Sequence, residues 1–173
     1  MSQRAYSWEN DVEFMSIVSD LLAHPEVLEL SNYVHHHFTN RLDHSLTVAY
    51  TSYLIAKKMN LDYKSVARGG LLHDFFLLTV QEVEGLKQGS HNQHHPILAC
   101  ENAERITDLN EIEKDIILKH MFLVSKVAPP KYKESFIVSM VDKYAAVIEV
   151  VSPLNSLLKK RIIHAIYRLG LAT

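Results

Sequence analysis

Apolar residues recur along most of this chain at intervals of three and four, and the two-residue alternation of a half-buried strand is almost nowhere. Phe14, Val18, Leu21 and Leu22 predict a first helix, capped by Ser7 and ending near His24-Pro25. Pro25 fits the first turn of a short second helix through Leu30. A third, His44 to Met59, carries His44, Val48 and Ile55 on one face, with Asn60 suited to stop it. Tyr63, Val66, Ala67, Gly70 and Leu71 mark a fourth that leads into His73 and Asp74.

The polar stretch Thr79 to His95, with Gly85 and Gly89, is expected to be the one long loop, a kind of segment that in compact domains is more often functional than not. Pro96 then opens a fifth helix through Ile106, and Asn110 with Glu113 caps a sixth that ends near His120. After the break at Pro129-Pro130 a seventh runs from about Glu134 to Val151. Pro153 or Leu154 starts an eighth, with Leu158, Ile162, Ala165 and Leu169 facing inward and Gly170 as its stop. With no repeat, low-complexity tract or linker, the expectation is one all-α domain of seven to eight helices over residues 1–173. Its motif-bearing core is about residues 36–151, on which helices 7–34 and 153–170 pack.

Composition narrows the function classes. A chain of 173 residues, 47% hydrophobic and 22% charged, suffices for one real core. A net charge of -2 gives no electrostatic footprint for nucleic acid. Cys100 is the sole cysteine and cannot form an internal disulfide, which suits a reducing compartment. Residues Met1 to Asp11 hold no long apolar stretch, and no run approaches the roughly 18 apolar residues of a membrane span. A cytoplasmic protein without membrane contact is expected; oligomeric state is left open.

The chemistry begins at Leu72-His73-Asp74-Phe75, where a histidine and an aspartate sit side by side at the end of an apolar helical run. Buried bare charge is costly, so Asp74 needs a partner, most economically a divalent cation. A lone histidine on an apolar face is ordinarily a hydrogen-bonded core residue. Six such groups, His44, His73, Asp74, His95, His120 and Asp142, recurring across five helices are harder to satisfy that way. Imidazole with carboxylate suits Mn, Fe, Co, Ni or Zn, with Mg also admissible, and suits Ca poorly. A carboxylate can bridge two ions, and Asp74, with His73 beside it, is the natural bridge.

The order His44, then His73-Asp74, then Asp142 in Val141-Asp142-Lys143-Tyr144-Ala145 resembles the signature of the HD-domain superfamily of metal-dependent phosphohydrolases. The resemblance covers roughly His44 to Glu149. It implies an HD-domain-like helical bundle whose four core ligands are joined, in binuclear relatives, by a His before a Pro and another on the next helix, here His95 and His120. Gly70-Leu71-Leu72-His73-Asp74-Phe75-Phe76, Lys119-His120-Met121 and Val141-Asp142-Lys143 also resemble stretches of a group of small bacterial HD hydrolases without assigned substrates. The cyclic-dinucleotide branch usually reads His-Asp-Ile-Gly-Lys and pairs histidines near position 120, where this chain has Phe75, Phe76 and Met121; that activity is disfavoured.

The resemblance implies hydrolysis of a nucleotide or other small phosphoester by a metal-activated water, with one or two ions per chain. A di-iron oxygenase and a metal-binding domain without catalysis are the alternatives, and the ligands alone do not separate them. Asp74 is the central catalytic candidate. Arg41, one turn before His44, is a phosphate clamp or a solvated surface arginine, and Lys143 reaches a substrate phosphate or snorkels to water. His35-His36-His37 lines the pocket or forms a surface cluster; one of Ser90, His91 and His94 supports a ligand. The stripe Lys159-Lys160-Arg161 with Arg168 reads as a solvated face. Gly69-Gly70 reads as close helix packing, and Ser139, Ala145 and Ala146 as room beside Asp142.

Overall fold

The computed structural model describes the backbone of residues 8–35, 39–85 and 90–168, and the side chains along it except those of His35, Val150 and residues 152–168. The expected cap at Ser7, the cluster His35-His36-His37, Gly89, the inward face Leu158, Ile162, Ala165 and Leu169, the stop at Gly170 and the stripe Lys159, Lys160, Arg161 and Arg168 lie outside the described residues or side chains.

Eight α-helices follow one another among the described residues: α1 Val12–Leu22, α2 Pro25–Glu29, α3 Arg41–Lys58, α4 Tyr63–Leu72, α5 Val80–Gly85, α6 His91–Ile106, α7 Glu111–Lys119 and α8 Lys133–Arg168. The strands found there, β1 Val34–His35 and β2 Thr39–Asn40, are two residues long and antiparallel, with Val34 opposite Asn40. The fold class is therefore the all-α bundle that the periodicity predicts.

Boundaries differ from expectation where local capping chemistry decides them. A 3-10 turn over Trp8–Asn10 precedes α1, and Asp11 rather than Ser7 caps it, its carboxylate accepting the Phe14 N–H at 3.0 Å. Asn40 caps α3 by accepting from Asp43 at 2.8 Å, so the helix starts at Arg41, one turn ahead of His44. Asn60, at φ 54°, ends α3 in the left-handed conformation that asparagine tolerates.

The expected long loop is largely helical. Glu82 accepts from both the N–H and the hydroxyl of Thr79, at 2.7 and 2.8 Å, and this box opens α5. Gln93 reaches back to the Ser90 N–H at 3.2 Å, so α6 begins at His91 and Pro96 lies inside it. Nor does Pro153 start a separate helix: α8 runs through it. A proline inside a helix forfeits one backbone hydrogen bond, but its φ of about −65° is itself helical.

Helix α4 lies between α3 and α7, and α8 packs across α3, α7 and the edge of α4. The glycine pair sets these spacings, as expected. A Cβ on Gly70 would meet the Ala49 Cα at 2.9 Å, and one on Gly69 the Ile116 Cδ1 at 2.9 Å. One core cluster gathers Phe14, Val18 and Leu21 of α1 with Tyr50, Tyr53, Leu71 and Phe75, and a second joins Val48, Val66, Ile116, Val138 and Val141. Together they fix the ends of α4 and α7 against the N-terminal third of α8, which is where the polar centre forms. No helix among the described residues is long and apolar enough to cross a membrane.

Candidate metal centre

Five helices deliver the six candidate ligands. His44 lies in the second turn of α3, His73 and Asp74 directly follow α4, His95 lies in the second turn of α6, His120 directly follows α7, and Asp142 is in the third turn of α8. All six are buried, none more than 8% exposed.

The structure brings all six together, around Asp74. Its Oδ1 lies 3.3 Å from His95 Nε2 and 3.4 Å from His120 Nε2, while its Oδ2 lies 3.8 Å from His73 Nε2. Asp142 Oδ1 lies 3.1 Å from His44 Nε2 and 3.7 Å from His73 Nε2. Two trios of donor atoms result, His44, His73 and Asp74 on one side and Asp74, His95 and His120 on the other, each with its atoms within 4.8 Å of one another. Asp74 belongs to both.

The far nitrogen of every imidazole rests on an acceptor. His73 Nδ1 faces the Gly70 carbonyl at 2.7 Å, His120 Nδ1 that of Ile117 at 2.7 Å, and His95 Nδ1 that of His91 at 2.9 Å. His44 Nδ1 faces the Glu149 carboxylate at 2.9 Å. Since carbonyls and carboxylates only accept, Nδ1 carries the proton and a neutral ring points the Nε2 lone pair inward, the tautomer a ligand needs.

Those inward lone pairs conflict unless a cation lies among them. His95 Nε2 and His120 Nε2 are 2.8 Å apart, and His44 Nε2 faces a carboxylate oxygen. His73 Nε2 is fully buried and has no hydrogen-bond partner. An extra proton or a metal ion removes each conflict, and four imidazoles with two carboxylates match the preferences of first-row divalent ions. The residues present therefore fit the ion that the chemistry implies.

Electrostatics run the same way. Burial opposes ionisation of Asp142, yet the facing rings of His44 and His73 outweigh it and hold its carboxyl far below the usual range. Burial pulls the His73 pKa down, and the carboxylates of Asp74 and Asp142 more than restore it, raising it above the ordinary value. At His120 burial dominates and lowers the pKa, which keeps that ring neutral.

Arg41 is not on the surface. It is 2% exposed, lies 3.6 Å over the Phe76 ring, and donates to the carbonyl of Phe76 and to that of Leu78, the latter at 3.1 Å. The guanidinium thus braces the turn after the doublet. Arg41→Ala is expected to lower unfolding stability by about 1.5–3 kcal/mol, the usual range for hydrogen bonds to a charged group. Chemical denaturation checks this, and Arg41→Lys should recover little, because an ammonium lacks the planar fork. Lys143 does not snorkel either: its Nζ donates to the His120 carbonyl at 2.5 Å and the Ser139 carbonyl at 3.0 Å. Ser139 Oγ donates to the same His120 carbonyl at 2.8 Å, so that residue lends a hydroxyl rather than mere space.

Among Ser90, His91 and His94, it is His91 that rests against a candidate ligand, its carbonyl facing His95 Nδ1 and its ring stacked on the His95 ring at 4.7 Å. Glu149 escaped the sequence reading. It stands two helical turns beyond Asp142, so the i, i+7 spacing on α8 was the available signal. A cleft of about 320 Å³ opens over the centre, with Asp74, His95, His120 and Asp142 at its base and Arg41 and Lys143 in its wall.

Among curated proteins, this chain is 32% identical over 126 residues to Ribonuclease Y of Pseudothermotoga lettingae, an alignment covering 71% of this chain and 22% of that one. It is 32% identical to Ribonuclease Y of Lawsonia intracellularis and 30% to that of Thermosipho melanesiensis, each over 56% of this chain and 18% of theirs. The chain thus spans about a fifth of the length of these relatives. No solved structure matches it. A family model described as the HD domain matches residues 41–147, well over half of the chain and the stretch that carries all six converging side chains, and the chain accordingly belongs to the HD-domain family.

Proposed function

We propose that this chain is a metal-dependent phosphohydrolase acting on a nucleotide or other small phosphoester at a binuclear site. The observation that carries the reading is Asp74, whose two oxygens face separate groups of imidazole nitrogens. His44, His73, Asp74 and Asp142 would hold one ion, and Asp74, His95 and His120 the other. Ions held there would supply Lewis acidity and an activated water for phosphoester hydrolysis.

The chain's own residues set orientation and charge. Arg41 is the proposed phosphate-binding cation: it lines the cleft, held there by backbone carbonyls on its two terminal nitrogens. Lys143 adds positive charge to the same wall. The cleft volume, about 320 Å³, is at the small end of ligand pockets, roughly 300–1,000 Å³, and favours a nucleotide-sized ester. The relatives' name, ribonuclease, supports a phosphoester linkage as the bond acted on. The proposed setting is the reducing cytoplasm, in keeping with Cys100 as a buried free thiol.

The test reloads the protein with Mn, Fe, Co, Ni, Zn or Mg and offers mononucleotide monoesters, other small phosphoesters and short oligoribonucleotides. Phosphate release or RNA shortening supports the reading; oxygen consumption by an iron-loaded protein supports oxygenase chemistry instead, and metal binding with neither supports a non-catalytic domain. Stoichiometry gives a separate check. His95→Ala and His120→Ala should each lower bound metal by about one equivalent with the helical circular dichroism intact. Unchanged metal content in both would remove those residues from the site.

A further inference from the structure

We infer that Glu149 is a positioning residue for His44, and that it makes the His44 side of the centre the tighter of its two metal-binding halves. The inference rests on the binuclear reading above and deepens it.

Three of the four imidazoles brace Nδ1 on a backbone carbonyl. His44 alone among them braces it on a carboxylate, Glu149 Oε1 at 2.9 Å, with the ring fully buried and the Glu149 side chain 11% exposed. The second oxygen of Glu149 accepts from the Thr39 hydroxyl at 3.0 Å, which fixes the direction of the carboxylate. A full negative charge on the far nitrogen draws the Nδ1 proton outward and concentrates electron density at Nε2. That nitrogen becomes a stronger donor to a cation than one braced by a neutral carbonyl.

The chain path makes this more than a local hydrogen bond. Asp142 and Glu149, seven residues apart on α8, take the two nitrogens of one ring on α3. The helix that supplies a candidate ligand therefore also supplies the group that orients its neighbour. Thr39, at the end of the two-residue ladder, ties the start of α3 to the same point.

The experiment titrates Zn²⁺ against a competing chelator in chains carrying His120→Ala, which leaves the His44, His73 and Asp74 trio as the site. Binding of about one equivalent there is the precondition that the binuclear reading supplies, and its absence would count against that reading and against this inference with it. Given that binding, Glu149→Ala should weaken affinity by about 10–100-fold, the usual cost of losing such a partner. Glu149→Gln, which can still accept the Nδ1 proton but lacks the charge, should fall between. In the reciprocal background, His44→Ala, the same substitutions should leave Zn²⁺ affinity unchanged, and the affinity there should start lower than in the His120→Ala chain.

A purely structural role is read separately, from ¹⁵N imidazole spectra of the metal-free protein. Wild-type His44 should appear with a fixed Nδ1 proton, Glu149→Ala should show mixed tautomers, and Glu149→Gln should restore the wild-type pattern. Equal affinities in all Glu149 variants, equal losses in both halves, or an unchanged His44 tautomer in Glu149→Ala would each overturn the inference.

Discussion

Asp74→Ala should lose both equivalents of metal at once and with them at least about 100-fold of any metal-dependent activity, beyond what removal of an outer partner costs. The expectation follows from geometry: one carboxylate lies within 3.3–3.8 Å of His73, His95 and His120, so its charge serves both donor trios. Asp74→Asn keeps the size and one acceptor oxygen but removes the charge that the two proposed dications would share, and should behave nearly as badly. Metal analysis of the purified variants, beside circular dichroism to establish folding, gives the answer. A variant that still held two ions and turned over normally would break the assignment of Asp74 as the bridge.

Gly70→Val is the second large effect, and it acts from outside the polar centre. Even a methyl group at this position would sit 2.9 Å from the Ala49 Cα, a backbone atom that cannot rotate away, so α3 and α4 must separate. Overpacking of this kind costs typically about 1–3 kcal/mol, and the branched side chain should reach the top of that range. The Gly70 carbonyl also braces His73 Nδ1 at 2.7 Å, so spreading the helices displaces the doublet. Metal affinity should therefore fall together with the denaturation midpoint. At Gly69 the only contact as close as 2.9 Å is the Ile116 Cδ1, the movable end of that side chain, with its Cβ and Cγ2 at 3.2 Å, and Gly69→Ala should be milder. Equal stability losses for the two alanine variants, Gly69→Ala and Gly70→Ala, would show that the backbone contact at Ala49 is not what matters.

The fold class and the meeting of the six side chains were legible because each signal is local. Helical spacing places His44, His95 and Asp142 on buried faces, and the doublet ends an apolar run, so the polar groups had to find one another inside. Pro96 and Pro153 look like helix openers in the sequence but both lie inside helices, because proline penalises a helix by a finite amount that its neighbours can outweigh. The Thr79 to His95 stretch was read from its polarity, while the boxes Thr79 with Glu82 and Ser90 with Gln93 were there to be read from side-chain chemistry. Arg41 illustrates a different limit. One residue's exposure depends on what packs over it, here Phe76 and Tyr33, and no spacing rule places those rings above a guanidinium. Glu149 was missed because a helical glutamate near a chain's acidic and basic surface residues is unremarkable until its partner on another helix is known.

His73 and His120 each follow the last residue of a helix, and each donates a hydrogen bond from Nδ1 to a carbonyl three positions back, at Gly70 and Ile117. Such carbonyls are the ones a helix end leaves without an internal partner. The two rings therefore finish their own helices, and their bearing is set by the backbone of the helix each one ends. Donor chemistry is in this way insulated from the connecting segments: residues 79–90 and 121–132 can be exchanged or lengthened without rotating either nitrogen, provided α4 and α7 keep their register. A family built on this arrangement can change what it accepts at the mouth of the cleft at little risk to what happens at its base.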